Sequence, residues 1–477
     1  MNNVIPFLTI LHFFLFSSLY SNAFTSISID ATGELSNVEV ILELEYPIKN
    51  KELFKGNLDE NGKLKIELSN VNSGLYFLKI GKLFFNVYLE PDNLCVLKLL
   101  ENGVVEYASS DPNHFINHYL HDSRELINNF KYEGTGMWEI KSDSSFVVAL
   151  DYLLFKKDSL LNSYLEVEHF DPKALKLLRA RNENIVLQFK LIRTGSKLPE
   201  VSKSLFGIEN KVRFDPENLF IGSINYLSLL NAYLSNFKDK AFIRSYGNFE
   251  NFQKQHQDES SMRHAFFEFN YNKIKELDVE PLFKSYFKAY QIQNDIFDAN
   301  LFKEFLHLFN QEYPNSPFLP ELEAKLEEIS SLNGAEMPSI VGEDIEGNKV
   351  DLKEFKGKVI FIDFWATWCG PCIKEFKHYP EILKKYKNEE IVFIFLSVDD
   401  ERDKWQEFLS NGKGPESIHL NIPQSQYSVI SKQLNYEGTG IPQFLLIDKD
   451  GKIIKTHSPR PSETKSFEEQ INKALGI

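Results

Sequence analysis

The chain is poor in cysteine and in basic charge, and each shortage excludes something. It has 477 residues and three cysteines. Two of them, Cys369 and Cys372, stand close together, and Cys95 is far away with no paired motif. A zinc site at the pair would therefore lack its remaining ligands. Lys and Arg number 53 against 68 Asp and Glu, for a net charge of −15. Phosphate backbones need a basic surface, so nucleic acid is excluded as a partner, and anionic lipid surfaces are disfavoured. The apolar run Pro6 to Leu19 is too short for a transmembrane helix. At 43% hydrophobic and 25% charged residues the composition is that of a globular chain, not a disordered one.

The apolar run is followed by the small residues Ser21-Asn22-Ala23, which suit a signal peptidase. Residues 1–23 are therefore expected to be a secretory signal, although Met1-Asn2-Asn3 carries no Lys or Arg, with a buried N-terminal segment or an uncleaved anchor as the alternative. No cysteine lies near the cleavage point, which excludes a bacterial lipid anchor on a thiol there. Cys95 sits in a strand-like run and is expected as a small core hydrophobe, with a partner thiol in mixed disulfides as the alternative.

The pattern along the chain predicts three structural regions, a multidomain arrangement. Residues 24–110 read as a β-sandwich-like domain. Expected strands are Val38 to Leu44, Lys63 to Leu68, Leu75 to Ile80, Phe84 to Leu89 and Leu94 to Leu99, with a hairpin turn at Asp59-Glu60-Asn61-Gly62. Residues 111–334 read as all-α, starting at Asp111-Pro112. The helical stretches are Phe146 to Leu165, Pro172 to Ile192, Ile224 to Phe237, His264 to Glu276, Pro281 to Phe309 and Leu319 to Ser331. No fixed repeat period is visible. Their abundant Phe, Tyr and Leu read as core rather than as a cofactor pocket. His114, His118 and His121 share one helix face at i, i+4, i+7. They read as a solvated polar face, with a Zn²⁺ or Cu²⁺ site as the sharper alternative. Residues 335–477 read as an α/β domain entered through a hairpin whose turn is Glu346-Gly347-Asn348.

The chemistry is concentrated in Asp363-Phe364-Trp365-Ala366-Thr367-Trp368-Cys369-Gly370-Pro371-Cys372. The β-branched and aromatic run Val359 to Phe364 precedes the pair, and a helical stretch, Ile373 to Tyr386, follows it. A Cys-x-x-Cys at a strand-to-helix turn reads as a redox dithiol, against a structural disulfide or half of a zinc site. A cysteine at a helix N-terminus has its thiolate favoured by unpaired N–H groups and the helix dipole.

These ten residues closely resemble the active site of thioredoxin. Residues 335–477 resemble the TlpA/ResA-type branch of that superfamily, and residues 24–110 more weakly resemble the β domain found ahead of such domains in exported proteins of Bacteroidota. The resemblance implies a thioredoxin fold and a thiol–disulfide oxidoreductase with no cofactor beyond the Cys369–Cys372 pair. Cys369 is then the nucleophile and Cys372 the resolving thiol. Asp363 matches thioredoxin's buried acid, where many TlpA-type sequences have Asn, and Glu375 matches the glutamate of the ResA pattern. Both are expected to exchange protons with the pair. Gly440-Ile441-Pro442 resembles the cis-proline loop, whose backbone pairs with substrate, and Trp368 is expected as an apolar docking surface while Trp365 and Phe364 pack inside. Two departures stand out. Phe395 falls where thioredoxin has a lysine beside its acid, and Lys377 replaces a proline usual in the relatives, with Pro380 interrupting the helix later.

The family further implies a periplasmic or envelope reductase acting on a disulfide-bearing protein substrate, such as apocytochrome c, and re-reduced by a membrane thiol donor. Oligomer formation is left open. Two other classes stay in view. One is a thiol peroxidase, although Ala366 stands where those relatives carry Thr. The other is a non-catalytic envelope protein that binds peptide or glycan.

Overall fold

The computed structural model describes every residue except 1–23, 32–35, 45–46, 48–49, 101–104, 195–211, 221–223, 257–258 and 437–439. The expected signal segment lies outside the described residues. By internal contacts the chain forms two compact units, residues 1–247 with 278–287, and residues 248–277 with 288–477. An N-terminal sheet region, a helical middle and a C-terminal thioredoxin-like domain follow one another in sequence, and the helical middle contributes to both units.

In the first unit, eight strands among the described residues form two four-stranded sheets. They are β1 (Phe24–Ala31), β2 (Glu39–Leu44), β3 (Lys51–Asn57), β4 (Lys63–Ser69), β5 (Gly74–Ile80), β6 (Leu83–Leu89), β7 (Leu94–Leu99) and β8 (Val105–Tyr107). The sheet orders are β4-β1-β7-β8 and β3-β2-β5-β6. Alternating residues such as Ile27, Ile29, Val40, Leu42, Ile66, Leu78, Val87 and Leu97 are buried in one core, as a sandwich requires. The turn at Asp59–Gly62 forms as expected: Asp59 Oδ1 accepts from the amides of Asn61 and Lys63, and Gly62 has φ +72°. It does not close a hairpin, however. β3 pairs with β2 and β4 with β1, so this turn carries the chain from one sheet to the other. Cys95 is buried in this core, where burial pushes its thiol well above the ordinary range.

The helices begin where caps allow. Ser142 caps the helix Asp143–Leu165 by accepting from the Ser145 amide. His114 and His118 face separate backbone carbonyls, those of Asp111 and Tyr107. Among the described residues no group of three ligating side chains is placed to hold a metal. The expected helix Pro281 to Phe309 is instead two helices, Pro281–Asp295 and Ala299–Glu312. The break has a local cause: Asp298 accepts from the amides of Asn300 and Leu301 and so starts a new helix.

Besides the two-residue strands β9 (Lys131–Tyr132) and β10 (Thr135–Gly136) of the first unit, the described residues of the C-terminal domain form a seven-stranded sheet. Its strands are β11 (Val341–Glu343), β12 (Lys349–Asp351), β13 (Val359–Trp365), β14 (Ile391–Ser397), β15 (Ile418–Asn421), β16 (Gln443–Ile447) and β17 (Ile453–Lys455). Their order is β12-β11-β15-β14-β13-β16-β17. β13 is buried along its whole length, parallel to β14 and antiparallel to β16. Its side chains alternate between the two faces. Phe364 meets Tyr427 and Tyr436 on one side, while Phe361, Asp363 and Trp365 meet Phe467, Tyr379 and Phe376 on the other. The expected hairpin is present, with Asp344 Oδ1 accepting from the Asn348 amide across its turn.

Candidate active site

The site sits where β13 ends. Ala366, Thr367 and Trp368 turn the chain, and this turn is fixed from β14. The Thr367 amide donates to Asp399 Oδ2 at 2.9 Å, its hydroxyl donates to Oδ1 at 2.7 Å, and Ser397 Oγ donates to Oδ2 at 2.8 Å. Asp399 is buried, so these bonds satisfy a carboxylate that would otherwise be costly there. Cys369 is the N-cap of the helix Gly370–Glu375, and its Sγ accepts from the Cys372 amide at 3.2 Å. Pro371 lies in the first turn, where its missing N–H costs nothing. Cys369 and Cys372 are joined as a disulfide. The stretch Ile373 to Tyr386 is not one helix: a 3₁₀ turn at Phe376–His378 separates Gly370–Glu375 from Tyr379–Lys385, and Pro380 occupies the first turn of the second helix.

The expected neighbours converge on the pair. The Ile441–Pro442 bond is cis, and Cys369 Sγ lies 3.7 Å from the Ile441 carbonyl oxygen. Gly440 has φ +69°, a conformation a side chain would oppose, and its carbonyl accepts from Gln443 Nε2. Trp368 is 68% exposed beside Cys369, whereas Trp365 and Phe364 are fully buried.

Asp363 and Glu375 both lie buried on the helix side of the sheet. Asp363 pairs in register with Phe395 and Phe444, so no lysine meets it from either neighbouring strand. Its Oδ2 accepts from Tyr379 Oη at 2.7 Å, and its Oδ1 has no hydrogen-bond partner among the described residues. Burial pushes the Asp363 carboxyl up to about 8. The Tyr379 bond and the Arg460 charge pull it down, and the Glu375 charge pushes it up. It is therefore mostly protonated at neutral pH and able to give or take a proton near it. Glu375 accepts from the Ser462 amide at 2.9 Å and from the Ser462 hydroxyl at 3.0 Å.

A family model described as Redoxin matches residues 332–475. Thiol-disulfide oxidoreductase ResA of Bacillus thuringiensis subsp. konkukian (strain 97-27) is 37% identical over 122 residues, covering 26% of this chain and 67% of that protein. This chain belongs to the ResA family of thiol-disulfide oxidoreductases. The ResA of Bacillus subtilis (strain 168) is 29% identical over 125 residues, 26% of this chain and 65% of that one. The thioredoxin domain of a thiol-disulfide oxidoreductase from Bacteroides vulgatus is 24% identical, covering 30% of this chain and 97% of that chain with a TM-score of 0.27.

Within this ResA-type site, Tyr379, Asp399, Ser462 and Arg460 were not legible from the motif. Ser462 stands 87 positions from Glu375 and Asp399 stands 32 from Thr367, so only the folded chain brings them together. The signal nearest to hand was the absence of thioredoxin's lysine at Phe395, which leaves the buried acid needing another partner.

Proposed function

We propose that this chain is an exported disulfide reductase in which Cys369 attacks and Cys372 resolves. The carrying observation is the placement of Cys369 Sγ at 3.7 Å from the Ile441 carbonyl, with Cys372 fully buried behind it. Cys369 is itself only 4% exposed but lies nearer the surface than Cys372, so an incoming chain meets the first sulfur first. The Cys369 thiolate attacks one sulfur of a substrate disulfide and expels the other as a thiolate. The Cys372 thiolate then attacks Cys369 Sγ. The Cys369–Cys372 disulfide closes, the second substrate thiolate leaves, and two electrons have passed to the substrate. An external dithiol reverses the exchange on the enzyme and is itself oxidised.

Asp363 accepts the Cys372 proton in its ionised form, and Glu375, held by Ser462, is the second acid of the relay. Ile441 supplies backbone pairing and Trp368 an apolar surface to the substrate strand. The substrate is a mis-oxidised exported protein, with apocytochrome c the reading that the family suggests, and the donor is a membrane dithiol. Residues 1–23 direct export to the periplasm or envelope; among the described residues no helix is long and apolar enough to cross a membrane. Residues 24–334 select substrates or bring two copies together. Ala366 is buried and offers no hydroxyl to a peroxide, which favours the reductase over the peroxidase reading.

Reduction of a disulfide-bearing protein by a dithiol reductant, with this protein as catalyst, tests the assignment. Cys369→Ser is expected to abolish turnover, and Cys372→Ser to stall as a mixed disulfide through Cys369. Turnover that survives Cys369→Ser would contradict it.

A further inference from the structure

A cleft of about 1050 Å³ opens within the second unit, and Ile441 and Pro442 form part of its wall. It therefore borders the residue whose carbonyl faces Cys369. Its other walls come from Arg263 and Asn300 on helices, from Phe297 in the break between two helices, and from the segment that follows β17, His457 to Arg460. The volume exceeds that of most small-molecule sites and suits a short stretch of polypeptide. The lining is mixed and largely polar, which does not suit a lipid or an apolar metabolite.

The charges lining the cleft are almost all engaged. Arg263 is paired with Glu463, Lys455 with Asp298 at 2.8 Å, His264 with Glu304 at 3.6 Å and Lys325 with Glu328 at 3.2 Å. Asp295 also has an interaction of its own. Arg460 differs. It is half-buried, and among the described residues its side chain makes no hydrogen bond and no ion pair; its charge is felt by the buried Asp363. A guanidinium that lines a cleft without a carboxylate partner is ready to donate to one.

We propose that this cleft is the substrate subsite of the dithiol, that it takes an extended polypeptide strand leading away from the target disulfide, and that Arg460 recognises an acidic side chain on that strand. The inference rests on the oxidoreductase reading and adds a preference for an acidic side chain on the substrate strand. It also places Arg460 as a specificity-determining residue, distinct from the sulfur chemistry.

The test uses the full chain in its reduced form. The probes are C-terminally amidated peptides carrying one cysteine as a mixed disulfide with a small thiol, so that a side chain is the only carboxylate. A single glutamate is walked along the residues flanking the cysteine, each peptide paired with its glutamine counterpart, and kcat/KM is measured by stopped-flow tryptophan emission. At one or more positions the glutamate peptide should react about 3- to 10-fold faster at low salt, with the preference shrinking as salt rises. Arg460→Gln should bring the ratio to about one, and Arg460→Lys should restore part of it. Any effect of Arg460 acting through Asp363 would change both peptides of a pair equally and leave the ratio alone. A ratio near one at every position in the wild type, or a preference that survives Arg460→Gln, would overturn the subsite. If no peptide is reduced at all, the oxidoreductase reading fails first and the subsite goes with it.

Discussion

Replacing Asp363 by Asn should make the C-terminal domain more stable at alkaline pH. The carboxyl is buried, and its proton affinity rises from 3.8 to about 8 on folding. Between these values the folded chain keeps a proton that the unfolded chain releases, so wild-type stability falls as pH rises from about 4 to about 8. Each pH unit is worth about 1.4 kcal/mol, which sets a ceiling of about 6 kcal/mol across the window, and relaxation around the ion brings the expected range to about 2–5 kcal/mol. Asparagine keeps an oxygen for the Tyr379 hydroxyl, which donates to Asp363 at 2.7 Å, and does not ionise. The two proteins should therefore be similar near pH 4, and the Asp363→Asn variant should gain on wild type up to about pH 8 and level off above it. The other titrating groups are shared and cancel in the difference. Trp365 and Trp405 are fully buried in this domain. Their emission, followed through denaturant unfolding with the disulfide closed and in a Trp138→Phe background, gives the readout. A stability difference that stays constant from pH 5 to pH 9, or that moves against the variant, would refute the reasoning.

Three further outcomes follow from the same contacts. Thr367→Val removes the 2.7 Å hydroxyl bond to buried Asp399 and should cost about 1–3 kcal/mol of stability by the same unfolding assay. Ser462→Ala leaves the amide bond to Glu375 but removes the 3.0 Å hydroxyl bond; it should lower stability by about 1 kcal/mol and slow release of the mixed disulfide in single-turnover kinetics. Trp368→Ala should leave stability within about 0.5 kcal/mol, because the ring is 68% exposed, yet lower kcat/KM for a protein disulfide.

What the sequence made legible was local. Cys369, Cys372 and Pro442 announce themselves by their immediate neighbours, and the structure sets the Ile441 carbonyl against the Cys369 sulfur. Alternation marked β4 to β7, but β3 is a charged, largely exposed strand, Lys-Glu-Leu-Phe-Lys-Gly-Asn, with no apolar period to read. The Asp59–Gly62 turn was visible while its partners were not, since a turn motif states how the backbone bends and not which sheet each arm joins. Periodicity ran through Ile296–Asp298 because Ile296 and Phe297 continue an apolar pattern, and only the Asp298 cap shows the break. Tyr379 lies in the predicted helix but carries no mark that it would bond Asp363. That contact depends on how the helix crosses the sheet.

The measurement closest to the central claim is the equilibrium reduction potential of the Cys369–Cys372 pair, read by thiol alkylation across a defined redox buffer series. A reductase that needs dedicated electron supply should give a value near or below the about −270 mV of thioredoxin, and a value near the about −120 mV of a strong periplasmic oxidant would make this protein a disulfide donor instead.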